Sequence, residues 1–118
     1  MGVGMPQTLL LNEFGSKIID AFGDIPYHVG SSLTKKTGWR DVDVRLILDD
    51  DVYAAMLGSP VHTHSNEKWV SMCLAFSLMG KYMTGLPIDF QIQQKSKANR
   101  DYDGPRSAIG LVPLRIKT

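Results

Sequence analysis

The chain has 118 residues, 43% of them hydrophobic and 21% charged, with a formal net charge of +1. These proportions fit one globular domain with one core and exclude a disordered chain. A single cysteine, Cys73, excludes a disulfide scaffold and makes the cytoplasm the expected location. The opening Met1-Gly2-Val3-Gly4-Met5-Pro6 does not read as a secretory signal. The longest apolar-rich stretch, 69–79, falls far short of the ~20 residues that span a bilayer, so no membrane partner is expected. The near-neutral total hides an asymmetry. Residues 1–93 hold 7 Lys/Arg and 10 Asp/Glu, a net of −3, and residues 94–118 hold 6 Lys/Arg and 2 Asp, a net of +4.

In chain order, the first periodic stretch is 6–23. Leu10, Phe14, Ile18 and Phe22 recur at steps of four with Ala21 beside them, one stripe of a helix. Pro6 suits its first turn and Gly23 its end, while Gly15 weakens it off the stripe. Residues 25–29 read as a short strand entering the turn Gly30-Ser31-Ser32, and the polar stretch 33–40 as a short helix or loop. The clearest strand is 41–48: alternation puts Val42, Val44, Leu46 and Leu48 on one face and Asp41, Asp43, Arg45 and Ile47 on the other. Asp49-Asp50-Asp51 ends it and caps a short helix, 52–57. A loop, 59–65, leads to the longest helix, 66 to about 83, with Ser65 as expected N-cap. Trp69, Met72, Cys73, Phe76 and Met79 make that helix apolar nearly all round, so it is expected deep in the domain. A second alternating strand, 88–93, turns Ile88, Phe90 and Ile92 inward and Asp89, Gln91 and Gln93 outward. Residues 94–108 read as a polar loop with a turn at Asp103-Gly104-Pro105, and 109–116 as a strand or an extended tail. The expectation is α/β (α+β): a small mixed sheet packed on helices, in a single domain 1–118 with its core at about 7–93 and a basic tail, 94–118.

Three carboxylates carry the chemistry. Asp41 and Asp43 share a strand face, ~7 Å apart at ~3.4 Å per residue. Asp89 lies on the polar face of the later strand, and converges on them if the two strands are neighbours. Clustered carboxylates repel and are costly to bury unless a divalent cation offsets them; Mg²⁺ takes such oxygen ligands and shares them with phosphates. Two such ions ~4 Å apart clamp the attacking and leaving oxygens of a phosphoryl transfer. Phosphate binders are also present. Gly30 permits close backbone approach, Ser31 and Ser32 add hydroxyls, and Lys35 or Lys36 adds charge. Arg45, on the acidic face, pairs with Asp43 or Asp89 or reaches phosphate.

The order Gly30-Ser31, then Asp41-Val42-Asp43-Val44, then a later strand carrying Asp89 resembles the polymerase-β-type nucleotidyltransferase superfamily, in its minimal branch. The blocks Trp39-Arg40-Asp41-Val42-Asp43-Val44-Arg45-Leu46-Ile47-Leu48 and Thr84-Gly85-Leu86-Pro87-Ile88-Asp89-Phe90-Gln91 are similar to small nucleotidyltransferase-like proteins of phages and actinobacteria. The resemblance covers roughly 7–93. It implies that Gly30-Ser31 holds an NTP, that Asp41, Asp43 and Asp89 bind two Mg²⁺, and that Asp89 also activates the incoming hydroxyl. It further implies transfer of a nucleoside monophosphate to a hydroxyl on a protein, nucleic acid or small molecule, with an antitoxin-like role among the options. Part of the site would come from a homodimer or a partner protein. One departure stands out: the family's Ala-Arg-Gly after Gly-Ser is here Ser32-Leu33-Thr34-Lys35-Lys36.

The alternative is a catalytically inactive protein of the same fold, acting through protein or nucleic-acid contacts. The basic tail reads first as a solvated segment, and Tyr102 among Lys95, Lys97, Arg100 and Arg106 keeps the nucleic-acid version open. A nuclease is a third class, without a His or Lys base at telling spacing. His62-Thr63-His64 reads as a surface loop, since no cysteine or acid supports a metal site there. Cys73 reads as a small buried hydrophobe.

Overall fold

The computed structural model describes residues 2–58 and 66–112. His62-Thr63-His64, Ser65 and the end of the 109–116 stretch lie outside the described residues. The elements are α1 (Gln7–Phe22), β1 (Tyr27–Val29), α2 (Ser31–Thr34), β2 (Val42–Leu48), α3 (Asp50–Leu57), α4 (Glu67–Thr84), β3 (Ile88–Gln94), α5 (Lys95–Asp101) and β4 (Arg106–Ala108). They form a mixed α/β fold on one four-stranded sheet of order β3-β2-β1-β4. β1 runs antiparallel to β2 and β4, whereas β2 and β3 are parallel.

The core lies on one face of the sheet. Val42, Val44, Leu46 and Leu48 of β2 and Ile88, Phe90 and Ile92 of β3 are all buried, as their alternation demands. α1 and α4 cover them, with Leu11, Phe14 and Ile18 buried along α1. Phe14 meets Phe90 edge-on, 6.3 Å between centroids, and Phe76 sits 5.4 Å from Phe90. Gly15 has a packing role: a Cβ there would lie 2.7 Å from the backbone carbon of Ile109. The helix accepts a poor helix former so that the 109–112 segment can cross it, and Asn12 fastens the crossing by accepting from Gly110 N at 2.9 Å.

β3 is an edge strand, yet α4 covers its outer backbone. Phe90 N donates to the Ser77 hydroxyl at 2.9 Å, and Trp69 Nε1 donates to the Ile92 carbonyl at 2.8 Å. The N-cap of α4 is Asn66, whose side chain accepts from Trp69 N at 3.0 Å, in place of the expected Ser65. This helix is not buried all round. Trp69, Cys73, Gly80 and Thr84 face inward, while Val70, Leu74, Leu78 and Tyr82 are exposed.

Residues 94–108 are not a loop: they form α5 and β4. Of α5 only Ala98 is buried, so no apolar periodicity announces the helix. Polar contacts hold it instead. Asp50 accepts from Ser96 N at 3.0 Å, and Arg106 donates to Asn99 Oδ1 at 2.9 Å and to the carbonyls of Ala98 and Tyr102 at 3.3 Å. α5 packs against β2 and β3 on their polar side, and β4 extends the sheet beyond β1.

Candidate functional site

β2 and β3 position the acids. Their parallel register sets Asp43 directly beside Asp89, and Asp41 lies just before β2, whose first amide, Val42 N, donates to Pro87 O at 2.9 Å. One carboxylate oxygen from each of Asp41, Asp43 and Asp89 lies within 4.8 Å of the others. The three expected acids therefore do converge, as hard oxygen donors suited to a divalent cation.

Arg45 reaches into the cluster. Its Nη2 stands 3.7 Å from Asp43 Oδ1 and 3.6 Å from Asp89 Oδ2, and its Nη1 donates to the Asp89 carbonyl at 2.6 Å. Arg45 is thus the resident counter-charge of the cluster. Burial pushes the Asp43 carboxyl above its usual range, Arg45 pulls it down, and Asp89 and Asp41 push it up again; the net direction is up. A cation joining the cluster would favour the charged form.

The Gly30 turn abuts the acids. Gly30 has φ +82, and a Cβ there would lie 2.5 Å from Asp43 Oδ2, so only glycine fits. The turn opens α2, placing Ser31 on an exposed first turn and Lys35, also exposed, just after it. Two expected phosphate donors are already engaged. Gly30 N donates to the Tyr102 hydroxyl at 3.3 Å, and that hydroxyl donates to Pro105 O at 2.8 Å. Ser32 is fully buried, and its hydroxyl shares a 2.7 Å hydrogen bond with His28 Nε2. Ser32 thus points into the protein, away from Ser31. Burial, above all, holds the His28 imidazole down at about 4, so it is neutral at physiological pH.

A cavity of about 320 Å³ continues from Gly30, Asp43 and Arg45 along the polar sheet face and under α5. Gln91 and Gln93 line it from the sheet, and Lys97, Tyr102 and Arg106 from α5 and beyond. That volume is at the low end of small-molecule sites. The contribution of α5 was missed in the sequence because the segment carries no periodic signal; the outward Gln91 and Gln93 were legible as a polar face. Cys73 is buried in α4, where burial pushes its thiol up. Among the described residues no helix is long and apolar enough to cross a membrane. Comparison with protein-family models, curated proteins and solved structures finds no match to this chain.

Proposed function

We propose that this protein is a small metal-dependent nucleotidyltransferase of the polymerase-β type, working in the cytoplasm. It moves a nucleoside monophosphate from an NTP to a hydroxyl acceptor. The observation that carries this reading is the approach of three carboxylates, from two neighbouring strands, to within 4.8 Å beside a glycine turn that opens a helix. Asp41, Asp43 and Asp89 would hold two Mg²⁺. When bound, magnesium supplies Lewis-acid polarisation of the phosphate oxygens. Asp89, the most accessible strand acid, takes the proton of the acceptor hydroxyl as its oxygen bonds to the α-phosphorus. The bond to the bridging oxygen breaks, and pyrophosphate leaves with that electron pair. Ser31 and Lys35 would face the β- and γ-phosphates, and Arg45, which pairs with Asp43 and Asp89, would add positive charge for the phosphates.

A second reading keeps the fold and drops catalysis. It is favoured by the engagement of the Gly30 amide with Tyr102 and of the Ser32 hydroxyl with His28. One experiment separates the two. The protein is incubated with each NTP radiolabelled at the α-phosphorus, Mg²⁺ and host lysate, beside an Asp41→Ala/Asp43→Ala control. Transfer of label absent from the control supports the enzyme, and equal labelling in both sinks the assigned site. Failure to bind Mg²⁺–NTP by calorimetry turns the conclusion to the non-catalytic reading.

A further inference from the structure

Among the described residues nothing covers one apolar face of α4, and its charges define what fits it. Val70, Leu74, Leu78 and Tyr82 recur at steps of four and are 40%, 58%, 58% and 92% exposed. Large apolar residues scattered singly on a surface need no explanation, but a contiguous row along one helix does. At 3.6 residues per turn, Glu67, Leu74, Leu78 and Lys81 fall in one outward stripe, flanked by Val70 on one side and Tyr82 on the other. Glu67 and Lys81 mark its two ends, about 21 Å apart along the axis. Among the described residues neither makes an ion pair. An acid at one end, a base at the other and leucines between form a pattern that a two-fold axis maps onto its own complement.

We propose that this face is the interface of a homodimer in which α4 packs antiparallel against α4 of a second copy. With Leu74 near the two-fold axis, Val70 of each copy meets Leu78 of the other, and Glu67 of each meets Lys81 of the other. A parallel pairing would stack Glu67 on Glu67 and Lys81 on Lys81, and is disfavoured by like charge. The covered edge of β3 leaves the helix face, not the sheet, as the route to association on this side of the molecule. One helix pair is a small interface, so the dimer forms in the micromolar range. Tyr82, the most exposed large hydrophobic side chain among the described residues, becomes an aromatic anchor at each end of the contact.

Sedimentation equilibrium of the full chain from about 1 to 200 µM tests this. The expected mass rises towards twice 13.1 kDa with concentration. A Leu74→Asp/Leu78→Asp variant stays monomeric with an unchanged far-UV circular dichroism spectrum; Leu74→Ser, a milder change, weakens the dimer without risk to the fold. Glu67→Lys or Lys81→Glu alone weakens it about tenfold, because the two-fold axis repeats each lost pair. The swap Glu67→Lys/Lys81→Glu returns to within about threefold of the starting affinity. A monomer throughout overturns the proposal. A dimer unaffected by Leu74→Asp/Leu78→Asp overturns the surface. Additive weakening in the swap overturns the antiparallel register.

Discussion

Replacing Arg45 by methionine tests whether this side chain is the counter-charge of the acid cluster. The methionine keeps an apolar stem on the sheet and deletes the guanidinium. Two ion pairs, at 3.7 and 3.6 Å, disappear, together with the Nη1 bond to the Asp89 carbonyl. The acids are 28% and 41% exposed, so each pair is screened and worth about 1 kcal/mol at most. The charged hydrogen bond adds about 1.5 kcal/mol. Arg45→Met should therefore cost roughly 2 to 4 kcal/mol in EDTA, a fall in Tm of roughly 8 to 16 °C for a domain of this length. Mg²⁺ should then recover more in the variant than in the native chain, because three carboxylates are left without a compensating charge. Ligand linkage gives about 2.7 kcal/mol at a hundredfold excess over Kd, enough to restore much of the loss. Differential scanning fluorimetry with EDTA and with about 10 mM Mg²⁺ measures both quantities. A fall below about 2 °C in EDTA, or equal Mg²⁺ increments in the two proteins, would refute the reasoning.

Gly30→Ala combines a backbone strain of about 1 to 3 kcal/mol with a clash on Asp43 Oδ2, and it should lower Tm and shrink the Mg²⁺ increment together. A drop in Tm with the increment intact would dissociate the turn from the acids. His28 makes stability pH-dependent. The native imidazole titrates at about 4 and the unfolded one near 6.5, so the unfolded chain binds the extra proton between them. Its contribution is complete above pH 6.5 and falls by up to about 3 kcal/mol as pH drops through 4; urea titrations at pH 7 and 4.5 of the native chain and His28→Gln should converge at the lower pH. Gly15→Ala should destabilise by about 1 to 2 kcal/mol in urea, although alanine is the better helix former, because its Cβ meets Ile109. A stabilised variant would show that the 109–112 segment yields.

The strands that bear the acids were legible because each is half-buried: β2 alternates throughout and β3 alternates from Ile88 to Gln93, so the outward set, Asp43 and Arg45 with Asp89 and Gln91, follows from parity alone. The alignment of Asp43 beside Asp89 was not legible, since the offset of two parallel strands is set by the crossover between them. Ser32 was read as a ligand because Gly-Ser-Ser looks uniformly polar; one turn of helix sends neighbouring side chains in different directions, and His28 claims this one. α5 has no apolar stripe to announce it, because hydrogen bonds hold it instead: Asp50, distant in sequence, accepts from Ser96 N, and the nearby Arg106 donates to Asn99. α4 was expected deep because its composition is apolar, but composition does not reveal how many of its sides have neighbours.

The parallel pairing of β2 with β3 makes the acid cluster a non-local feature of the molecule. Arg45 and Asp89 are 44 residues apart in the chain, with α3 and α4 between them. A chain that has formed only its hairpin-like β1–β2 pair holds Asp41 and Asp43 but no site. Loop-closure entropy must be overcome before the third acid arrives, so any cation affinity of the three acids would arise only when the crossover has docked. Divalent-cation binding would thus report the docking of β3 on β2, and a chain folded only as far as the β1–β2 pair would lack the three-acid site.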